Sequence, residues 1–99
     1  MQIRLTVFDQ DGKPYIIPAE VVESKFKRHQ FAVHKSISLG DNLWTVSHVA
    51  SGLAAATGGI KETAVAALTG RLKNMKQVEL EAIIEKGTAV RLKLISVNL

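Results

Sequence analysis

Between Ser24 and Ser36 the chain carries Lys25, Lys27, Arg28 and Lys35 and not one acid. Phe26 and Phe31 are interleaved with these cations, and His29 stands among them. Clustered positive charge attracts phosphate, and exposed aromatic faces let unpaired bases stack. An acidic protein surface is attracted in the same way. The chemistry on offer is therefore binding, and the candidate site is Lys25, Phe26, Lys27, Arg28, His29 and Lys35. Tyr15 or Trp44 would add a stacking face if exposed. The plainer and commoner reading is a solvated basic loop in which Phe26 and Phe31 anchor the core. Outside this stretch nine basic and nine acidic residues balance, so the net charge of +4 belongs to it. A secondary basic group, Arg71, Lys73 and Lys76, follows further along.

Other chemistries find less support. His34 and His48 fall on neighbouring predicted strands. Only a register that sets them opposite each other lets two imidazoles share a metal, and two ligands fall short of the usual three. A strand histidine bonded to a hydroxyl is the expectation, with no metal. Asp9-Gln10-Asp11-Gly12 resembles the start of a calcium loop but lacks its next ligand positions, and turn chemistry accounts for it. Thr57-Gly58-Gly59 ahead of a helix offers backbone N–H groups to an anion. It lacks the Gly-Lys-Ser/Thr ending of a phosphate loop. There is no cysteine, which excludes disulfides, thiolate metal sites and a thiol nucleophile. No Gly-x-Ser-x-Gly motif occurs, and Ser47-His48 alone carries no weight. The acids read as strand partners or turn formers. The expectation is a protein that is not an enzyme and takes no cofactor.

The elements that position these residues begin with one helix, Ile60 to about Met75. Ile60, Ala64, Leu68, Leu72 and Met75 share one stripe of a 3.6-residue period, with Thr57 or Gly59 as its cap. Ile3, Leu5 and Val7 alternate, as do Tyr15, Ile17, Ala19 and Val21. A three-residue loop, Gln10-Asp11-Gly12, would set Val7 opposite Tyr15, Leu5 opposite Ile17 and Ile3 opposite Ala19. Pro14 and Pro18 make the second strand an edge, or end it near Ile17, and Pro18 could instead open a helical turn through Ser24. Further strands are expected at Phe31–Ile37 and Leu43–Val49, joined by Leu39-Gly40-Asp41-Asn42, and more weakly at Leu53–Ala56. Strict alternation from Val78 to Ala82, and again from Val90 to Ile95, predicts a terminal hairpin turning at Glu85-Lys86-Gly87. It would pair Leu80 with Leu92, Ala82 with Val90, Glu81 with Arg91 and Glu79 with Lys93.

The expected fold is α+β, in one domain of residues 1–99. A mostly antiparallel, curved sheet of six or seven strands in hairpins packs against one main helix. No apolar run approaches the roughly 18 residues that span a bilayer, and the alternating N-terminus does not read as a signal peptide. A cytoplasmic protein with no membrane partner is expected, with self-association through sheet edges open to it. The leading function is a stand-alone regulator or inhibitor of the kind phages and mobile elements carry, docking its basic face on an acidic partner such as a nucleic-acid-processing complex. The alternative is direct binding of single-stranded DNA or RNA.

Overall fold

Alternating apolar residues build the sheet, and the first hairpin sets its register. The computed structural model describes residues 1–9, 11–37 and 43–98, the last eight as backbone. β1 (Gln2–Phe8) pairs with β2 (Pro14–Val22), with Val7 opposite Tyr15, Leu5 opposite Ile17 and Ile3 opposite Ala19, as expected. Gly12 takes the left-handed φ of 81° that this turn requires. Asp9 secures the turn: one carboxylate oxygen accepts the N–H groups of Asp11 and Lys13, and the other accepts the Tyr15 hydroxyl. Those bonds hold its carboxyl below the usual carboxylate range, the Lys13 amide foremost. These contacts are the turn chemistry expected of Asp9, Asp11 and Gly12; Gln10 lies outside the described residues.

β3 (Phe31–Lys35), β4 (Trp44–His48) and β5 (Ala54–Gly58) complete an antiparallel meander in the order β1-β2-β3-β4-β5. Residues 39–42 of the expected β3–β4 turn lie outside the described residues. β2 neither ends at Ile17 nor opens a helical turn. It runs on to Val22 and pairs with β3 over Glu20–Val22, so it is an interior strand. The prolines are accommodated because antiparallel N–H groups alternate in direction. Val21 N–H bonds Met1 and Asp9 N–H bonds Lys13, which fixes the odd-numbered pairs as the hydrogen-bonded ones. Pro14 and Pro18 therefore lack their N–H on the side away from β1, along the part of β2 that β3 does not reach.

The sheet is curved and has two working faces. The helix side carries Phe31, Val33 and Val46, which cluster with Phe26, Ala64, Leu68, Leu72 and Leu80. The opposite face encloses Leu5, Val7, Ala19 and Ala32, with Ile3, Ile17 and Val49 packed around them. Curling brings β1 against the turn between β4 and β5. There Gly52 has φ +72°, and a Cβ on it would stand 2.6 Å from the Thr6 carbonyl oxygen and 3.1 Å from the Phe8 ring. Gly52→Ala is expected to destabilise the fold by about 1–3 kcal/mol, from the left-handed backbone alone, before the clash is counted. Urea unfolding measures it, and an unchanged midpoint would contradict this closure.

α1 (Lys61–Leu72) buries Ala64, Leu68 and Leu72, with Met75 half-buried beyond its end, as the stripe requires. Ile60 is exposed and is the N-cap, in place of Thr57 or Gly59. The cap works through Thr63, whose hydroxyl accepts the Ile60 N–H and donates to the Ile60 carbonyl.

The terminal hairpin is overturned. Residues Gln77–Asn98 form a second helix, α2, so the sheet has five strands and two helices pack against it. Glu79 explains the start: its carboxylate accepts the Lys76 N–H at 3.2 Å, the return half of a capping box. Gln77 to Lys86 also carries three Glu with one each of Gln, Leu, Ala and Lys, seven of ten residues that favour helix over strand. Leu80 and Ile84, four apart, turn to the core, while Val78 and Ile83 are exposed. Gly87 is no hairpin turn. It sits inside the helix against Leu53, whose Cδ1 would be 2.7 Å from a Cβ there. Among the described residues no helix is long and apolar enough to cross a membrane.

Candidate functional site

The basic stretch is a loop, 23–30, slung between β2 and β3. Phe26 pins it, buried to 8% exposure among the helix-side core residues. Ser24 shapes the bend by accepting the Phe26 N–H and donating to its carbonyl, and His29 N–H closes a turn onto the same carbonyl. Lys25 reaches across to α1: its Nζ donates to the Lys73 carbonyl at 2.9 Å while lying 5.0 Å from the Phe26 ring centre. A cation at a helix C-terminus satisfies an orphan carbonyl and the negative end of the dipole. The bond also joins two groups that the sequence holds apart. Lys27 and Arg28 on the loop, and Lys73 and Lys76 after α1, are exposed. Their side chains make no hydrogen bond or ion pair among the described residues.

The other candidates lie elsewhere. Arg71 turns its guanidinium to the Ala55 carbonyl at 2.6 Å, covering part of the β5 edge. Lys35 lies 5.2 Å from the Trp44 ring, which Lys61 also approaches, at the opposite end of α1. Lys61 in turn binds Glu20 at 2.6 Å, drawing the Glu20 carboxyl down and the Lys61 amine up. Phe26 and Phe31, at 8% and 1% exposure, offer no free stacking face.

His34 and His48 lie on opposite faces. The register sets His34 opposite Thr45 and His48 opposite Phe31, so the two cannot share a metal. Each instead meets a hydroxyl. His34 Nδ1 donates to the Lys35 carbonyl at 2.8 Å, leaving Nε2 to accept from Ser47 at 2.7 Å. That fixes the tautomer, and burial holds His34 below the ordinary histidine value.

His48 belongs to a longer chain. Its Nδ1 stands 2.7 Å from the Ser51 hydroxyl, and its Nε2 stands 3.0 Å from His29 Nδ1. The far nitrogen of His29, Nε2, stands 3.3 Å from the Glu81 carboxylate on α2. The Phe31 ring meets His48 edge-on, and burial, with His29 adding to it, lowers the proton affinity of His48. With Glu81 ionised, only one polarity satisfies all three bonds: Ser51 to His48, His48 to His29, His29 to Glu81. Ser51 Oγ also accepts the Leu53 N–H, and Gly52 N–H is spent on the His48 carbonyl. The hydroxyl is thus tied on both sides, and its nearest amides are occupied.

Sequence reasoning found His29 and His48 but missed Ser51 and Glu81. The alternation in the sequence makes Glu81 a strand partner of Arg91; only as part of a helix does it meet His29. The capping residue Glu79 was the available signal for that helix. No protein-family model matches this chain, and neither the curated proteins nor the solved structures include one detectably similar to it.

Proposed function

We propose that this protein is a non-catalytic binding module, a regulator or inhibitor of the phage-accessory type, that docks a basic face on an acidic macromolecular surface. The Lys25–Lys73 hydrogen bond carries this reading. It brings the 23–30 loop, which carries Lys27 and Arg28 and is anchored by buried Phe26, up to the end of α1, where Lys73 and Lys76 follow. This junction does not depend on the terminal hairpin, which the helix replaced. A nucleic-acid-processing complex, working in the cytoplasm, is the partner in its concrete form. Direct binding of single-stranded DNA or RNA is the second reading. Burial of Phe26 and Phe31 weighs against it, because base stacking needs an open ring face and the exposed ring of Tyr15 belongs to the β1–β2 hairpin, not to the basic loop.

The test compares the wild type with Lys27→Glu/Arg28→Glu/Lys73→Glu, which spares the structural Lys25. Binding to polyglutamate, duplex DNA and single-stranded DNA is followed from about 50 to 200 mM salt. The wild type is expected to hold polyglutamate at low salt, and the triple reversal to lose at least about a hundredfold in affinity, with an unchanged unfolding midpoint. Tight single-strand binding, with a slope near −0.7 per phosphate neutralised, would favour the second reading. Equal affinity of wild type and variant, or no binding to any polyanion, would reject the basic face.

A further inference from the structure

We infer that Glu81, His29, His48 and Ser51 form a one-proton relay that latches α2 to the sheet: it absorbs one proton by reversing its hydrogen bonds, and a second proton opens it. The four residues come from four places: α2, the 23–30 loop, β4 and the β4–β5 turn. Three contacts of 2.7 to 3.3 Å connect them without a break. The chain reaches the surface at Glu81, which is 44% exposed; at its other end Ser51, 7% exposed, lines a small cleft with Arg4, Thr6 and Phe8, the way in for a proton from solvent.

In the neutral chain every hydrogen points toward Glu81. One proton from solvent is absorbed without loss of a contact. It is taken up at Ser51 Oγ as the original hydroxyl proton moves to His48 Nδ1. The His48 Nε2 proton moves to His29 Nδ1. One proton has entered and none has left. His48 now donates to Ser51, whose two lone pairs take this hydrogen and the Leu53 N–H. The positive charge rests on His29, between His48 Nε2 and the Glu81 carboxylate, and buried His48 stays neutral. That state is a charge-assisted bond to α2, stronger than the neutral one.

A second proton has no such place. Both rings would then donate at every nitrogen, and two N–H groups would face each other across 3.0 Å with like charges. Among the described residues, the charged or titratable groups facing the pair are Glu81 from α2 and each ring for the other. β3 supplies only the Phe31 ring edge, and on the loop Arg28 is the neighbour of His29 in sequence. Glu81 alone cannot balance two imidazolium ions, so the His29–His48 contact breaks, and His29 with the first turns of α2 bonded to it through Glu81 loses its tie to β4.

Nitrogen NMR of both rings in the full chain, from pH 8 to 4.5, tests this together with amide exchange over residues 78–85. At neutral pH both rings should carry their hydrogen on Nε2. With the first proton His29 alone should turn positive, His48 should move its hydrogen to Nδ1, and exchange should hold steady. With the second, exchange should quicken about tenfold or more. In Glu81→Gln that quickening should arrive with the first proton. Two rings titrating independently, or exchange indifferent to both protons, would overturn the relay. A consequence for anion affinity also follows, since the same loop carries Lys27 and Arg28. That consequence alone rests on the proposed basic face; the ring measurements use no ligand, so each can fail separately.

Discussion

Leu68→Ala is expected to cost about 3–5 kcal/mol of unfolding free energy, the upper range for a buried leucine that leaves a cavity. Leu68 is 1% exposed and sits mid-helix in α1, between Ala64 and Leu72 on the buried stripe. It packs in the cluster that holds Phe31, Val33 and Val46 from the sheet and Phe26 from the basic loop. Those neighbours sit on β-strands or on a loop pinned at both ends, so they have little freedom to close over a void, and the penalty falls near the top of the range. A domain of this size has about 5–15 kcal/mol in total, so this one side chain accounts for a large share. Melting should fall by about 4–8 °C for each kcal/mol lost. Ile83→Ala, at an exposed position on α2, is the control and should shift stability by about 0.5 kcal/mol or less. A loss below 1 kcal/mol for Leu68→Ala would mean that α1 does not lie across β3 and β4 as described.

What the sequence made legible was whatever one local pattern decides. The Ile3–Val7 and Tyr15–Val21 alternation, with a glycine placed for a left-handed turn, determined both strands and their register. The 60–75 stripe had a 3.6-residue period with no rival. The terminal segment was misread because alternation and helical spacing coexist there. Val78, Leu80, Ala82 and Ile84 satisfy a period of two, while Leu80, Ile84 and Gly87 satisfy a helix. Capping by Glu79 and packing of Leu53 against Gly87 decide between them, and the second of these joins residues 34 apart in the chain. The candidate site divides in the same way. The charge excess of 24–36 was visible, but its union with Lys73 depends on a long-range bond. The Glu81–His29–His48–Ser51 chain spans four elements with no motif spacing, and its carboxylate was hidden by the wrong secondary structure.

Acidification should produce the second large effect, and the two buried histidines determine where it falls. His34 and His48 are 3% and 5% exposed, and burial, the main cause for each, holds both below the ordinary histidine value of about 6.5. An unfolded chain protonates these rings near that ordinary value; the folded chain resists. Above it both states are neutral at these rings, and stability is at its full level. As pH falls below about 6.5 the unfolded state binds more protons than the native state, so stability falls. The decline continues until the folded rings themselves take up protons. Each ring contributes a slope of up to about 1.4 kcal/mol per pH unit, and the two together up to about 2.7. Glu20 and Asp9 act in a separate, lower window. Their folded carboxyls sit below the ordinary carboxylate values, so what they contribute is intact above those values and is lost only as pH drops through the folded ones. Urea unfolding at pH 7.5, 6.5, 5.5 and 5.0 should therefore show a plateau followed by a steep decline that begins before any carboxylate titrates. His34→Gln keeps a polar group for Ser47 but removes one titrating ring, and should reduce that slope by about half. Stability unchanged from pH 7.5 to 5.0 would mean that both rings accept protons inside the fold, against the burial that holds each below its ordinary value.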